Sequence, residues 1–130
     1  MKNQFLTVIL VVVLAGCSLL PSSFDGIEHS YLINIAELSS DTKVCDDKSR
    51  AVYTSQQITT HAQWVYRYGR SMDRNEKMAT MEKDLLDMSR ELSDRYGNGA
   101  VSVVYCRSKL INIHNAANAI ISISSRRPRL

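Results

Sequence analysis

The side chains that most often perform chemistry are sparse and scattered in this sequence. Its three histidines are His29, His61 and His114, and no two of them stand four residues apart, the spacing of a helical metal site. The sequence also has no glycine-rich phosphate loop and no Gly-x-Ser-x-Gly motif. We therefore expect a protein that is not an enzyme and that needs neither a metal nor a cofactor.

The first 16 residues have the three-part layout of a secretory signal peptide. Lys2 supplies a positive charge, residues 5–14 are apolar apart from Thr7, and the small residues Ala15 and Gly16 follow. As a helix, this apolar segment would rise about 15 Å, half of the roughly 30 Å hydrocarbon core of a bilayer. The segment therefore predicts export and removal of residues 1–16.

The four residues Leu14-Ala15-Gly16-Cys17 resemble the lipobox of bacterial lipoproteins. In that class the cysteine thiol receives diacylglycerol, the preceding peptide is removed and the new amine is usually acylated, often with palmitate. The resemblance covers residues 1 to about 18 and implies a lipid anchor on Cys17, followed by a tether over 17–24. Several acyl chains hold a protein firmly, at about 0.8 kcal/mol per buried methylene. The alternative is an ordinary signal peptide with a chance cysteine.

Ser18 follows the lipobox cysteine. In the sorting pattern of the lipoproteins that the sequence resembles, serine at this position permits transfer to the outer membrane. The resemblance therefore implies an anchor in the outer membrane with the domain facing the periplasm. The inner membrane and surface display remain alternatives.

Cys45 and Cys106 remain once the lipid occupies Cys17. Exported proteins fold in an oxidising compartment, where a pair of thiols persists as a disulfide. We therefore expect one Cys45–Cys106 bond, the alternative being two buried free thiols. Closing a loop of this length would stabilise the fold by roughly 4 kcal/mol.

Helical periodicity accounts for most of the mature chain. Asp25 can cap a helix start, and Ile27, Tyr31, Ile35 and Leu38 recur at helical spacing. Residues 25–68 are expected to form one long helix, or two in series with a break near residues 39–41 where Ser40 or Asp41 could cap the restart.

Two further helices are expected to follow. Asp73 to Glu76 resembles a capping box, and glycines at 97 and 99 favour a helix end. Residues 101–105 fit a strand or a helix, and the length of the run without Gly or Pro favours a helix. The apolar rows are Met78, Met81, Leu85, Met88 and Leu92 in the middle helix, and Val103, Cys106, Leu110, Ile113, Ala117 and Ile120 in the last.

These elements predict an all-α domain over residues 25–125. We expect a small up-down-up three-helix bundle, or a helical hairpin with a long N-terminal helix, held by one disulfide. Charged residues in the middle helix alternate in sign, as on a solvated face. They are Glu82, Lys83, Asp87, Arg90, Glu91 and Asp94.

Two segments are candidates for interaction with a partner. Tryptophan, tyrosine and arginine anchor many protein interfaces, and all three types occur in residues 61–70. The simpler interpretation buries Trp64 and Tyr68 in the core and leaves Tyr66 and Arg67 in water. The second segment is a basic tail over residues 126–130, which would contact anionic lipid or an acidic partner, or would merely be a soluble frayed end. The candidate residues are Trp64, Tyr66, Arg67, Arg70, Arg126, Arg127 and Arg129.

Composition limits the range of functions. The formal net charge of +3 is too mild to predict nucleic-acid binding. We expect a membrane-anchored envelope lipoprotein of a bacterium or phage, with a structural role or a protein partner in the envelope. The alternatives are a periplasmic inhibitor of a cell-wall hydrolase and a lysis or exclusion lipoprotein of a phage or mobile element, the latter an analogy of size alone.

Overall fold

The computed structural model describes residues 22–129, and the regular structure within them is entirely helical. The all-α prediction is confirmed for this part of the chain, whereas the predicted signal peptide and Cys17 lie outside the described residues. The elements are α1 (Gly26–Ser40), a short 3-10 helix (Thr42–Asp46), α2 (Lys48–Ser71), α3 (Glu76–Asn98) and α4 (Val103–Ser125).

The expected three-helix arrangement is wrong, because residues 25–68 do not run in one direction. The chain reverses between α1 and α2. Ser40 donates its hydroxyl proton to the Glu37 carbonyl at the end of α1, and the Asp41 carboxylate caps the 3-10 helix. Asp47 then caps α2 by accepting from the backbone N–H of Arg50 at 3.2 Å. These polar side chains end one helix and begin the next, so the described residues form four helices.

The four helices run alternately up and down, and each packs against the next, with α4 returning to α1. Arg127, just after α4, pairs with Glu28 in the first turn of α1, and Asn75, just before α3, bonds to Gly69 near the end of α2. These contacts define one end of the bundle, which we call the terminal pole. The opposite end is the disulfide pole.

The disulfide predicted from the two remaining cysteines is confirmed. Cys45 lies in the 3-10 helix and Cys106 in the first turn of α4, with their Cα atoms 5.8 Å apart. Both side chains are buried. The bond therefore ties the connection between α1 and α2 to the start of the last helix.

Each helix contributes one row of buried residues that steps by fours and threes along its sequence, the spacing of knobs-into-holes packing. The rows are Glu28, Leu32, Ile35 and Ser39 in α1; Ala51, Ser55, Ile58, Ala62, Val65 and Gly69 in α2; Met78, Glu82, Leu85, Ser89 and Leu92 in α3; and Cys106, Leu110, Ile113, Ala117, Ile120 and Ser124 in α4.

The expected rows agree best with the structure in α4, where every expected position from Cys106 to Ile120 is buried and only Val103 is exposed. In α3 the expected row is partly shifted, because Met81 and Met88 are only half-buried at its flank. In α1 the expected row is wrong at its start, since Ile27 is 54% exposed.

The helix ends confirm some of the expected caps and correct one. The Asp25 carboxylate accepts the backbone N–H groups of Ile27 and Glu28 at 2.9 and 3.0 Å, as a capping residue does. Gly99 follows α3 with φ of +149°, a conformation that favours glycine. The capping box at Asp73 is wrong, because the residue before α3 is Asn75 and its side chain points into the bundle instead.

Candidate functional site

The most unusual chemistry of the described chain is a cluster of buried polar side chains at the terminal pole. Glu28 and Glu82 are each 0% exposed, and Asn75 is 1% exposed. Arg127 reaches them with a side chain that is only 7% exposed. Charged groups are almost never buried so completely unless they are paired. We call these four residues, with Ser22, the polar cluster.

The polar cluster forms where α1, α3 and the end of α4 meet, because the helices alternate in direction. Glu28 lies in the first turn of α1 and Glu82 in the second turn of α3, while Asn75 immediately precedes α3. Arg127 follows the end of α4, and Ser22 lies before α1. The cluster therefore joins the start of the described chain to its end.

Asn75 connects the members of the polar cluster. Its side-chain nitrogen donates to Glu28 Oε2 and to the Gly69 carbonyl oxygen, each at 2.8 Å. Its side-chain oxygen accepts from Ser22 Oγ at 3.0 Å and from Arg127. Asn75 thus uses both ends of its amide, which explains why it does not cap α3.

Arg127 and Glu28 form a buried ion pair, with Nη1 and Oε1 3.1 Å apart. The Arg127 guanidinium also donates to the Asn75 side-chain oxygen. Removing one partner of such a pair leaves an uncompensated buried charge, so the pair strongly resists separation.

Glu82, unlike Glu28, forms no ion pair with an arginine of the described residues. Its pKa is raised from 4.5 to about 10, first by burial and then by the neighbouring Glu28 carboxylate, while Arg127 acts weakly in the opposite direction. Neither of its carboxyl oxygens has a hydrogen-bond partner among the described residues. Glu82 is therefore protonated near neutral pH.

Gly69 provides the space that Glu82 occupies. A Cβ atom at this position would overlap Glu82 Oε2 and would lie 2.9 Å from Glu28 Oε2. Gly69 lies inside α2, where glycine costs roughly 1 kcal/mol relative to alanine. This close approach of backbone to carboxyl group is the structural reason for glycine here.

A second set of contacts closes the terminal pole from outside. The backbone N–H of Phe24 donates to the Pro128 carbonyl oxygen at 2.9 Å, and the Arg129 guanidinium lies 4.4 Å from the centre of the Phe24 ring. The Tyr68 hydroxyl donates to Asp25 Oδ2 at 2.9 Å. These contacts cover the polar cluster, so its carboxyl groups are sealed from solvent and serve to lock the pole.

The structure corrects the interpretation of the aromatic segment 61–70. Trp64 is 53% exposed rather than buried, and Tyr68 is half-buried at the terminal pole. Tyr66 packs partly against the core, with the Arg70 guanidinium 5.4 Å from its ring centre. Arg67 is exposed, as expected. Of the interface candidates in this segment, Trp64 therefore presents the largest apolar surface.

The three tail arginines occupy three different environments, so residues 126–129 are not a loose tail. Arg126 is exposed and bonds to the Ser122 hydroxyl of its own helix. Arg129 lies against Phe24, whereas Arg127 is buried in the polar cluster. The expectation of a solvent-exposed basic tail is therefore wrong for Arg127.

The sequence pattern does not single out Glu28, Asn75 and Glu82. The alternating charges of α3 predict a solvated Glu82, but this residue lies four residues after Met78 and three before Leu85, both fully buried. Glu28 likewise lies four residues before Leu32, which is fully buried. A glutamate at such a position in the apolar row of its helix was the available signal.

A separate apolar cleft lies between α3 and α4, away from the polar cluster. It has a volume of about 160 Å³. Leu85 and Ile120 are the buried residues of its lining, and Asp84, at the surface, forms no ion pair with the described residues. The remaining lining is Met81, Met88, Ala116 and Ala119.

Within residues 22–129, no group of three or more histidine, cysteine or acidic side chains is arranged to hold a metal ion. None of the described helices is long and apolar enough to cross a membrane. Comparisons of the chain with protein-family models, with curated proteins and with solved structures gave no match.

Proposed function

We propose that this chain is a lipid-anchored, non-enzymatic docking protein of the bacterial envelope, and that it binds an amphipathic helix of an envelope protein in the α3–α4 cleft. The observation that carries the proposal is the cleft itself. Its apolar floor is reached from the surface between two half-buried methionines, Met81 and Met88. Methionine side chains adapt their shape to a partner, which suits them to binding surfaces.

The size and charge of the cleft specify the partner. A volume near 160 Å³ resembles that of cavities that hold one benzene ring, so the cleft would take one large apolar side chain as an anchor. Asp84, at the surface, would form an ion pair with a basic residue of the bound partner helix. The partner expected from this chemistry is a helix with one bulky apolar residue and a lysine or arginine about one turn away.

The lipid anchor would place the terminal pole close to the membrane. Cys17 precedes Ser22 by five residues, a distance of at most about 18 Å in an extended chain. The sealed carboxyl groups of Glu28 and Glu82 support a non-enzymatic role, because a substrate would need to displace the contacts that cover them.

The anchor is tested by labelling cells with radioactive palmitate. The wild-type chain should incorporate the label and lose residues 1–16, whereas Cys17→Ala should remain unlabelled and uncleaved. Labelling of the Cys17→Ala chain would show that the lipid is not on this cysteine.

The docking surface is tested by a photo-crosslinking amino acid placed at Ala119, with Gln56 on α2 as the matched exposed control. We expect a discrete protein adduct from position 119 in intact cells, no such adduct from position 56, and loss of the adduct when Asp84→Lys reverses the rim charge. Equal adducts from both positions, or an adduct at 119 that survives Asp84→Lys, would contradict the proposal.

A further inference from the structure

An open groove lies between α1 and α2, on a different side from the α3–α4 cleft. It has a volume of about 410 Å³ and is lined by Asn34, Glu37, Leu38, Gln57 and His61. Four of these five residues carry polar side chains that are able to form hydrogen bonds, and only Leu38 is apolar. The groove is therefore suited to a polar ligand rather than to the apolar face of a helix.

The polar groups of the groove are available to a ligand. The side chains of Asn34, Glu37 and Gln57 form no hydrogen bond with another residue in the described range 22–129. His61 Nδ1 is buried without a partner. Because this nitrogen is closed to solvent, a ligand in the groove would reach His61 only through its other ring nitrogen.

Two exposed aromatic side chains lie on α2 beyond the residues that line the groove. Tyr53 lies one turn before Gln57 and Trp64 one turn after His61, so the four residues form one row on the helix. Tyr53 is 63% exposed and Trp64 is 53% exposed. Their separation along the helix is about 16 Å, which matches an extended chain of several rings better than a single small molecule.

The charges around the groove exclude several ligand classes. Residues 51–66 of α2 contain no lysine, arginine, aspartate or glutamate, and Glu37 is the one exposed charged residue of α1. Because none of the five lining residues is a lysine or arginine and Glu37 is acidic, phosphate, nucleic acid and anionic glycans are disfavoured. A neutral ligand is compatible with this lining, because the Glu37 carboxylate can accept hydrogen bonds from hydroxyl groups.

We propose that the α1–α2 groove binds a neutral oligosaccharide. Sugar hydroxyls donate and accept hydrogen bonds, and the two amides, the carboxylate and the imidazole of the groove supply both types of partner. The flat apolar faces of sugar rings pack on aromatic rings, a role open to Trp64 and Tyr53. Gln57 and His61 would bond the rings held between these two aromatic side chains.

The proposal goes beyond the docking function, because it uses neither the lipid nor the α3–α4 cleft. Failure of one proposal therefore leaves the other intact. Glycan chains of N-acetylated hexosamines and of plain hexoses share the recognised chemistry, so the experiment must include both.

Trp64 allows a direct test, because it is the only tryptophan of the chain. The full-length chain is purified in a zwitterionic detergent, which lacks a competing sugar headgroup, and titrated with three probes. These are the trimers of N-acetylglucosamine, of glucose and of galacturonic acid. We expect a blue shift of tryptophan fluorescence with at least one of the two neutral trimers, with a Kd on the order of 1 mM or tighter.

Matched variants locate the binding site by calorimetric titration. Gln57→Ala and Trp64→Ala should each weaken binding of the neutral trimer by roughly tenfold, whereas Trp64→Phe should retain most of it. Gln56→Ala is the control, since Gln56 is exposed one residue away from the row. All these positions are partly or fully exposed, so the variants should keep the circular dichroism spectrum of the wild type.

Each outcome of the test decides the proposal. Binding of a neutral trimer that Gln57→Ala and Trp64→Ala weaken and Gln56→Ala does not would establish the site. No binding of either neutral trimer up to about 10 mM would overturn the proposal. A preference for the anionic trimer, or binding that the two variants leave unchanged, would also overturn it.

Discussion

Replacing Glu82 with glutamine should remove a pH dependence from the stability of the bundle. The pKa of Glu82 is about 10 in the folded protein, against 4.5 for an unperturbed glutamate. Between these values the folded state holds one proton that the unfolded state has lost. The contribution of Glu82 is therefore fully present below about pH 4.5 and is lost as the pH rises towards 10.

The size of the effect follows from the difference in bound protons. One proton changes the free energy of unfolding by about 1.4 kcal/mol per pH unit, so three units between about pH 5 and pH 8 give at most roughly 4 kcal/mol. Relaxation around the carboxyl group would reduce this, and we expect about half of it. Relative to wild type, Glu82→Gln should become progressively more stable as the pH rises.

Urea unfolding followed by far-ultraviolet circular dichroism at about pH 5 and about pH 8 would measure the effect. Glu76→Gln is the matched control, because Glu76 is an exposed glutamate of the same helix. The stability difference between Glu82→Gln and wild type should change with pH, while that for the control should not. An unchanged difference for Glu82→Gln would mean that Glu82 is already ionised in the folded protein.

Three further substitutions test the packing of the two poles. Arg127→Ala should lower the free energy of unfolding by about 3–5 kcal/mol, because it strands a buried carboxylate, whereas Arg126→Ala should change it by less than about 0.5 kcal/mol. Equal effects of the two in urea unfolding would show that the arginines are equivalent surface charges. Gly69→Ala should destabilise the bundle by about 1–3 kcal/mol through overpacking, despite the better helix propensity of alanine, and a gain in stability would refute this close contact. Joint replacement of Cys45 and Cys106 by alanine should cost about 4 kcal/mol and lower the melting temperature by roughly 15 °C or more. A melting temperature within a few degrees of wild type would show that the bond adds little.

The sequence predicts well which residues are helical, but it predicts poorly the direction in which successive helices run. The row from Cys106 to Ile120 is unambiguous because each position is apolar, and the structure buries all of it. The reversal between α1 and α2 was invisible to periodicity, since capping residues such as Asp41 and Asp47 serve equally well for a break between helices in series. Direction depends on which faces pack together, and that is a tertiary property.

The polar cluster could not be predicted for a different reason. A glutamate within a helix rich in alternating charges is normally solvated, and Glu82 differs from its neighbours only by one step of the helical row. Its burial depends on Gly69 of another helix, which leaves room for it, and on Arg127, which lies 45 residues further along the chain. Such partners become visible only when the helices are assembled.

The contact between Phe24 and Pro128 has a practical consequence for engineering. The backbone N–H of Phe24 donates a hydrogen bond to the Pro128 carbonyl oxygen at 2.9 Å, so a short linker could join the two ends of the described chain. New chain ends could then be opened at Gly99, at the disulfide pole. Under the proposed lipid anchoring, a circular permutant with the lipid attached at its new start would be held with the disulfide pole towards the membrane. The α1–α2 groove and the α3–α4 cleft would both be kept, but the end of each that lies nearer the membrane would be exchanged. Comparing the permutant with the wild type would therefore separate the effect of the lining residues from the effect of their height above the bilayer.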